Sequence, residues 1–321
     1  MAINPPEART LQAPVPAPPL AESAGEPVQQ SSLWRDAYRR YLRNKGAVAA
    51  GIVFTIILLY CFLIPGFWII PGIWTTIFDI DPNQVNFAET YLPPSIEHPF
   101  GTDQFGRDLW TRVAKGGQLS ITIGFAATFA ILVIGIAYGS ISGFIGGRLD
   151  NAMMRFLDAL YGLPYLPFAI LALAIIGTVN FWTMVIALTI ASWFTAARIV
   201  RGQVITLKQN DYVRAAQAVG ARWHRVLVRH LLPNTLGVLV IFVFLELPNV
   251  VLGEAFLSFI GLGINPPDAS WGSLASEGRE AYRTHPLDLW IPCLFIAALV
   301  LCANFIADGL RDALDPRTKE T

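Results

Sequence analysis

Two carboxylic acids, Glu246 and Glu254, lie in the otherwise apolar stretch 235–261. If this stretch crosses a membrane, Glu246 is about 12 residues, or roughly 18 Å, into it and so near the bilayer centre. An ionisable group at that depth is costly, so it is usually functional or paired. A proton-coupled carrier would use such a group, whereas a carboxyl that is protonated or bonded between helices would serve packing alone.

The other reactive residue types form no catalytic or metal-binding pattern. An intramembrane protease would need Ser and His, or His-Glu-x-x-His, within its spans. The chain also lacks the Gly-x-x-x-x-Gly-Lys-Ser/Thr loop that usually holds ATP phosphates. We therefore expect no enzyme, no metal site and no cofactor bound by this chain. The residues considered are His98, His224, His230 and His285, in loops or at span ends, and Cys61, Cys293 and Cys302, which have no ligand spacing.

Composition predicts the elements that must position the two acids. Hydrophobic residues make up 54% of the 321 residues and charged residues 14%, with a mean hydropathy of +0.50. Soluble domains carry about 25% charged residues. Four uncharged stretches are long enough to cross a bilayer, which takes about 20 residues: 46–78, 116–147, 159–197 and 289–307. We predict an all-α integral membrane protein with six transmembrane helices, at about 46–70, 118–143, 152–177, 180–200, 235–261 and 288–309.

The distribution of basic residues predicts the orientation. Lys and Arg number five in 32–45 and seven in 198–230, against three in 71–117 and two in 262–287. Because loops rich in Lys and Arg stay inside, both termini and the 198–230 loop are expected in the cytoplasm.

The remaining segments complete the predicted organisation. Residues 1–31 contain seven prolines and predict a disordered cytoplasmic arm. Residues 32–45 mix arginines with Trp and Tyr, which is typical of a helix on a membrane surface. The membrane domain is predicted at 46–309, with an outer segment at 71–117 and a cytoplasmic loop at 201–234. A cytoplasmic tail follows at 310–321.

Four glycines recur at four-residue spacing in and after the second span. They are Gly135, Gly139, Gly143 and Gly147. Residues so spaced lie close to one face of a helix, where glycine lets a second helix approach closely. We expect them to form a helix-packing face.

The outer stretch "HPFGTDQFGRDLWTRVAKGG" (98–117) predicts a short amphipathic helix. Phe105, Leu109, Trp110 and Val113 would share one side, and Asp108 would pair with Arg112 one turn later. Such a helix could only seal the entry to the second span, or it could contribute to an outer gate or meet a delivery protein.

The stretch "NDYVRAAQAVGARWHRVLVRHLLPN" (210–234) is basic and rich in alanine, although apolar spans flank it. From Asp211 to Gly220 it predicts a short helix that glycine ends. An ordinary positive loop would also have this composition. A helix exposed between two spans otherwise needs a partner.

Several motifs resemble the permeases of ATP-binding cassette (ABC) importers. The EAA loop of these permeases has the pattern Glu-Ala-Ala, three residues, Gly, nine residues, Ile, one residue, Leu-Pro. Five residues of this chain match the pattern in type and spacing. Arg214 stands in place of the Glu, and His230 in place of the Ile. Both departures resemble the dipeptide/oligopeptide (nickel) branch, C-type subunit, as do "HPFGTDQFGRD" (98–108), "EAFLSFIGLGINPPDASWG" (254–272) and "DGLRDALDPR" (308–317). The shared residues are Ala215, Ala216, Gly220, Leu232 and Pro233.

The resemblance implies a type I ABC importer permease fold and a role for each motif. Coupling to an ATPase would involve Asp211, Tyr212, Arg214, Ala215, Ala216, Gly220, Leu232 and Pro233. The outer motif would comprise Gly101, Thr102, Asp103, Gly106, Arg107 and Asp108. Glu254 lies within one of these motifs, so it would belong to the translocation path or gate or have a structural role. Glu246 belongs to no motif, but within an importer its depth in the membrane would let it line the path or gate or receive a peptide amino terminus.

The resemblance also implies partners and a location. A homologous second permease would complete the path, two cytosolic ATPases would use the ATP, and an extracytoplasmic binding protein would deliver peptides. The chain would lie in the cytoplasmic membrane of a prokaryote, without a nucleic-acid partner. The cargo would be di- or oligopeptides, with glutathione and nickel complexes as alternatives within this class, and a proton-coupled carrier as the alternative outside it.

Overall fold

The computed structural model describes residues 33–67 and 70–314. The predicted arm 1–31 and the end of the predicted tail, from residue 315, lie outside these residues. Helices dominate the described part. They are α1 (Leu33–Arg43), α2 (Lys45–Leu63), α3 (Ile73–Phe78), α4 (Leu109–Ile145), α5 (Gly147–Tyr161), α6 (Tyr165–Ile176), α7 (Phe181–Lys208), α8 (Asp211–Ala218), α9 (Trp223–Val226), α10 (Leu232–Leu257), α11 (Trp271–Glu280) and α12 (Leu287–Leu314).

Short irregular elements join these helices. A 3₁₀ turn spans Phe87–Glu89, and single π-helical turns at Leu227–Leu231 and Ser258–Leu262 flank α10. Strands β1 (Gly66–Phe67) and β2 (Ile70–Pro71) form a small antiparallel hairpin after α2. The first span therefore ends before residue 70, because Pro65 has no N–H to continue the helical hydrogen bonds and Gly66 adopts a φ of 81°.

Within the described residues, five helical stretches are long and apolar enough to cross a membrane. They are α2, α4, α7, the stretch Trp223–Leu262 and α12. The predicted third span is not one continuous helix: α5 and α6 meet at an angle of 90°. Pro164 has no N–H for the helical hydrogen bond, so the helix breaks there. The pair gives a sixth span only if its two halves cross together.

The second span begins earlier than predicted. The Oδ2 of Asp108 accepts a hydrogen bond from the N–H of Thr111 at 2.9 Å, which caps α4 at its first turn. The stretch 109–117 is thus the start of the 37-residue α4 and no separate interfacial helix, and Phe105 lies before it. The predicted pair of Asp108 with Arg112 is wrong, because Asp108 caps the helix and contacts His98 at 3.1 Å.

The α4 helix packs along α7 through a row of glycines. A methyl group on Gly135 would lie 3.0 Å from the carbonyl carbon of Ala196, and one on Gly143 would lie 2.9 Å from the carbonyl oxygen of Arg201. Gly139, between them, lies equally close to the α7 backbone. Gly147 does not share this face, since α4 ends at Ile145 and, apart from its chain neighbours, no described residue comes within 4 Å of where its Cβ would sit.

A second core lies where α2, α10, α11 and α12 meet around α4. Trp271 is fully buried there, and its indole N–H donates to the carbonyl of Val113 at 2.8 Å. The α1 helix packs on α12 and ends at Arg43, and the side chain of the next residue, Asn44, caps α2 by accepting from the N–H of Ala47 at 3.1 Å. This packing holds the first turns of α4, which adjoin the outer segment, in place.

Candidate coupling surface and membrane cavity

The α8 helix contacts the rest of the molecule through apolar side chains on one of its faces. Val213 is fully buried in an apolar cluster with Val204 of α7, Val226 of α9 and Leu231. Ala216 packs against the same cluster. The helix therefore rests on both α7 and the start of α10.

The rest of α8 faces outward. Tyr212 is 41% exposed and Val219, just after the helix, is 86% exposed. Asp211, Arg214 and Ala215 are also exposed. A short helix with exposed apolar and charged side chains beside small alanines can enter a groove of another protein.

Gly220 turns the chain after α8. Its φ of 81° lies in the left-handed region that favours glycine, and no atom lies within 4 Å of where a Cβ would sit. The chain then passes through α9 and the π turn into α10. Leu232 and Pro233 begin α10, where a missing N–H is tolerated.

Polar contacts join α4, α5 and α7 to one another close to the start of α8. Lys208, in the last turn of α7, donates to the carbonyl of Phe144 at the end of α4. Arg201 of α7 binds Asp150 of α5 through two hydrogen bonds, and Ser142 of α4 donates to the same carboxylate. These contacts hold α4, α5 and α7 together close to the point where α8 begins.

The outer segment and α8 lie at opposite ends of the bundle. The α4 helix starts in the outer segment, and its 37 residues extend about 55 Å at 1.5 Å each. Its last turn contacts Lys208, three residues before α8 begins.

A cavity of about 830 Å³ opens beside the middle of the bundle. The bent α5–α6 pair forms one wall, and α7 and α10 form the others. Glu246 lies near the middle of the 26-residue α10 and lines this cavity. The other lining residues are mostly apolar or aromatic and include Tyr161, Tyr165, Phe194, Leu252 and Phe256.

Glu246 is buried, at 9% exposure, and takes part in no ion pair within the described parts of the chain. Tyr165 reaches the cavity from α6, and Gly253 leaves room for it: a methyl group there would lie 3.1 Å from the Tyr165 ring. The Tyr165 hydroxyl is buried without a hydrogen bond of normal geometry, although Ser192 lies close by.

Glu254 does not line this cavity, although it was predicted beside Glu246 on the path or gate. It is fully buried and accepts hydrogen bonds from Ser120 of α4 at 2.8 Å and from Ser258 at 2.7 Å. Ser120 in turn accepts from the N–H of Trp271 at 3.2 Å. Glu254 thus joins α4, α10 and α11, whereas Glu246, about two turns earlier on the same helix, borders the cavity.

The outer motif forms a compact turn around Asp103. Its carboxylate accepts from the N–H groups of Phe105 at 2.8 Å and Arg107 at 3.0 Å, and from the Arg107 guanidinium at 2.7 Å. Gly101 and Gly106 have φ values of 80° and 69°, and a side chain on either would strike the neighbouring backbone. These glycines permit the turn.

This turn is joined to α11 by charge. Glu277 of α11 accepts from Arg107 at 2.6 Å and from Arg112 at 3.2 Å. Arg112 is 2% exposed and Arg107 8% exposed, so both cations need a partner. Sequence reasoning missed Glu277, which is 165 residues from Arg112, and no local pattern could have found it.

An aromatic contact adds to the same junction. Tyr91 of the outer segment stacks on His285, which follows α11, with ring centroids 3.8 Å apart. Burial raises the pKa of the Tyr91 phenol, and the nearby carboxylates of Asp288 and Asp103 act in the same direction. Tyr91 therefore stays neutral and supports the contact by stacking.

Thr102 and Asp108 close the outer turn. Thr102 accepts from the N–H of Leu92 at 2.8 Å and donates to the carbonyl of Glu89. Asp108 caps α4, as described above. Across the described ranges, no group of three or more His, Cys, Asp or Glu side chains is placed to hold a metal ion.

Comparison with known proteins places this architecture in a family. Residues 135–320 match the family model described as "Binding-protein-dependent transport system inner membrane component". Residues 32–94 match a model of the N-terminal transmembrane domain of oligopeptide transport permease C.

Individual relatives cover nearly the whole chain. The oligopeptide transport system permease protein OppC of Haemophilus influenzae is 42% identical over 290 residues, which is 90% of each chain. The dipeptide transport system permease protein DppC of Bacillus subtilis is 39% identical over 289 residues, which is 90% of this chain and 87% of the relative.

A solved structure shares the fold. A chain of the inward-facing MetNI methionine ABC transporter aligns with a TM-score of 0.51 and 18% identity, covering 64% of this chain and 97% of that one. The likeness at this identity concerns the fold alone. With the two family models and relatives that span about nine tenths of its length, the chain belongs to the family of binding-protein-dependent transport system inner membrane components, in the branch of the C-type oligopeptide permeases.

Proposed function

We propose that this chain forms, with a homologous second permease, the path by which an ATP-driven importer carries di- and oligopeptides across the cytoplasmic membrane of a prokaryote. Family membership supports a permease role, and the names of the relatives supply the cargo class. The observation that carries the coupling mechanism is the exposed α8, anchored by the buried Val213 on helices of the membrane bundle.

Two cytosolic ATPases would supply the energy. Each permease would present a helix such as α8 to a groove of one ATPase, where the small Ala215 allows close approach. Closure of the ATPases would displace α8, and Val213 and Lys208 would transmit the displacement to α7 and α4. Alternating access would follow as a rigid-body movement of packed helices.

The second permease would cover the open side of the cavity. The rim includes Leu163 at 45%, Leu252 at 45% and Phe256 at 44% exposure, and a second subunit there would keep lipid away from Glu246. A binding protein outside the membrane would deliver cargo to the end that carries the outer motif and α11.

The topology of this proposal has six spans, with α5 and α6 crossing together and both termini in the cytoplasm. A cysteine at Val219, in a background without the three native cysteines, should react with a membrane-impermeant maleimide only after the membrane is opened. The basic 198–230 loop is the physical reason, because positive loops stay inside. Labelling of Val219→Cys in intact cells would contradict this topology; a cysteine at the exposed Glu97 should be labelled there.

The function itself is tested by reconstitution. The chain, its co-encoded permease and ATPases are placed in liposomes with the binding protein, and uptake of radiolabelled Ala-Ala-Ala is followed with ATP or a non-hydrolysable analogue. We expect uptake only with ATP and only with the binding protein. Uptake driven by a proton gradient without ATP would refute the proposal, and uptake of glutathione or a nickel complex in place of the tripeptide would revise the cargo.

A further inference from the structure

One charged residue lies in the cavity, and the cavity walls hold no opposite charge. Among the described residues that line it, Glu246 is the only one with a carboxyl group, and none is Lys, Arg or His. Arg198 lies next to a lining residue, with its guanidinium 4.5 Å from the centroid of the Tyr161 ring. Asp158 already binds Arg198 at 2.6 Å, so that cation is committed.

Uncharged polar groups surround the carboxyl without neutralising it. Asn249 lies one turn further along α10, and Ser192 and Thr195 face the cavity from α7. The Tyr165 hydroxyl is buried without a hydrogen-bond partner of normal geometry in the described structure. These groups can accept hydrogen bonds, and a ligand that brings several donors would use them.

Packing between apolar helices would gain nothing from a carboxyl group in this cavity. Burying a carboxylate without a counter-charge is unfavourable. A positively charged ligand would form an ion pair with it, and this pair would be strong because the surrounding residues exclude water. A metal ion is a poor candidate, because hard cations need several oxygen ligands and usually more than one carboxylate. A primary ammonium has three donors and one charge, and aromatic faces such as Phe194 favour it further.

We propose that the cavity binds the primary ammonium group of the cargo and that Glu246 is the residue that selects it. The volume of about 830 Å³ is within the range of pockets that enclose a small organic ligand. The carboxylate pairs with the ammonium, while Tyr165 and Asn249 accept its remaining hydrogens. This inference rests on the proposed function as an importer and names the chemical group of the cargo that the membrane subunit recognises.

The first test compares two cargoes in the reconstituted importer. Uptake of Ala-Ala-Ala and of its N-acetylated form is measured for the parent, for Glu246→Gln and for Glu97→Gln, a matched change at an exposed outer residue. We expect Glu246→Gln to slow the free-amine cargo about tenfold and the acetylated cargo less than twofold. Unchanged uptake of both cargoes, or an equal fall for both, overturns the proposal.

The second test does not depend on transport. Leu252→Cys places a thiol at the cavity, in a background without native cysteines, within the complete complex. The rate of its reaction with cationic aminoethyl methanethiosulfonate is divided by the rate with the anionic sulfonatoethyl reagent. We expect Glu246→Gln to lower this ratio about tenfold and Glu97→Gln to leave it unchanged.

An equal ratio with and without the Glu246 charge overturns the ammonium site. A parent importer that takes up neither cargo contradicts the proposed function instead. Because the thiol ratio is measured without uptake, the two failures are distinguishable.

Discussion

Gly220→Arg is expected to abolish ATP-driven uptake while the protein remains folded in the membrane. Gly220 lies in the turn after α8, and no atom lies within 4 Å of its Cβ position, so among the described residues no neighbour stands in the way of a side chain leaving this position. The side chain would instead enter the space proposed for the ATPase. We expect uptake to fall about a hundredfold, which corresponds to a loss of about 3 kcal/mol of docking free energy.

The left-handed φ of 81° at Gly220 has a separate cost. Any side chain there is disfavoured by about 1–2 kcal/mol, so Gly220→Ala is the matched control for backbone strain. We expect the alanine variant to keep much of its uptake, and both variants to reach normal membrane levels and to melt at the same temperature as each other, a few degrees below the parent. If Gly220→Arg transports like the parent, or if both variants lose uptake equally, docking at this turn is not the explanation.

Gly139→Leu is expected to destabilise the membrane bundle itself. A methyl group at this position would lie 2.9 Å from the backbone nitrogen of Arg201 and closer still to the carbonyl oxygen of Ala197. Backbone atoms, unlike side chains, cannot change rotamer to relieve a clash, so α4 and α7 would have to move apart. Overpacking of this kind costs about 1–3 kcal/mol, or more where the backbone itself is struck.

Gly202 offers the matched control, because it lies on α7, is exposed and has no atom within 4 Å of its Cβ position. Helix propensity alone favours replacing either glycine by about 1 kcal/mol. We expect Gly202→Leu to be neutral or slightly stabilising, Gly139→Ala to lower the thermal midpoint of the purified protein in detergent, and Gly139→Leu to lower it further. A Gly139→Leu protein as stable as Gly202→Leu would show that the close contact does not matter for stability.

The family membership of this chain was accessible from sequence because its motifs are local. The EAA-type residues from Ala215 to Pro233 and the outer motif from Gly101 to Asp108 each lie within a short stretch, so their order and spacing were sufficient for the resemblance. Family models and relatives confirm that resemblance. The coupling role of α8 remains a prediction, since its partner would be another chain.

The existence of the apolar spans and of α8 was determined by sequence alone. Hydrophobicity over about 20 residues predicts a membrane helix because the bilayer imposes that length on any spanning segment. Gly220 likewise marks the end of α8, because glycine has no side chain and so readily adopts the left-handed backbone conformation that ends a helix. The break at Pro164 was also encoded locally, but the long uncharged stretch around it favoured a continuous third span.

Only the tertiary structure decided the roles of the two acids in α10. Glu246 and Glu254 are eight residues apart in one apolar helix, yet Glu246 borders the cavity whereas Glu254 is enclosed by Ser120 and Ser258. The ion pairs of Arg107 and Arg112 with Glu277 were equally hidden, because their partner comes from the far end of the chain. Local patterns fix which segments become helices, whereas the partner of a buried charge depends on which helices pack together, and that is decided by contacts between residues far apart in sequence.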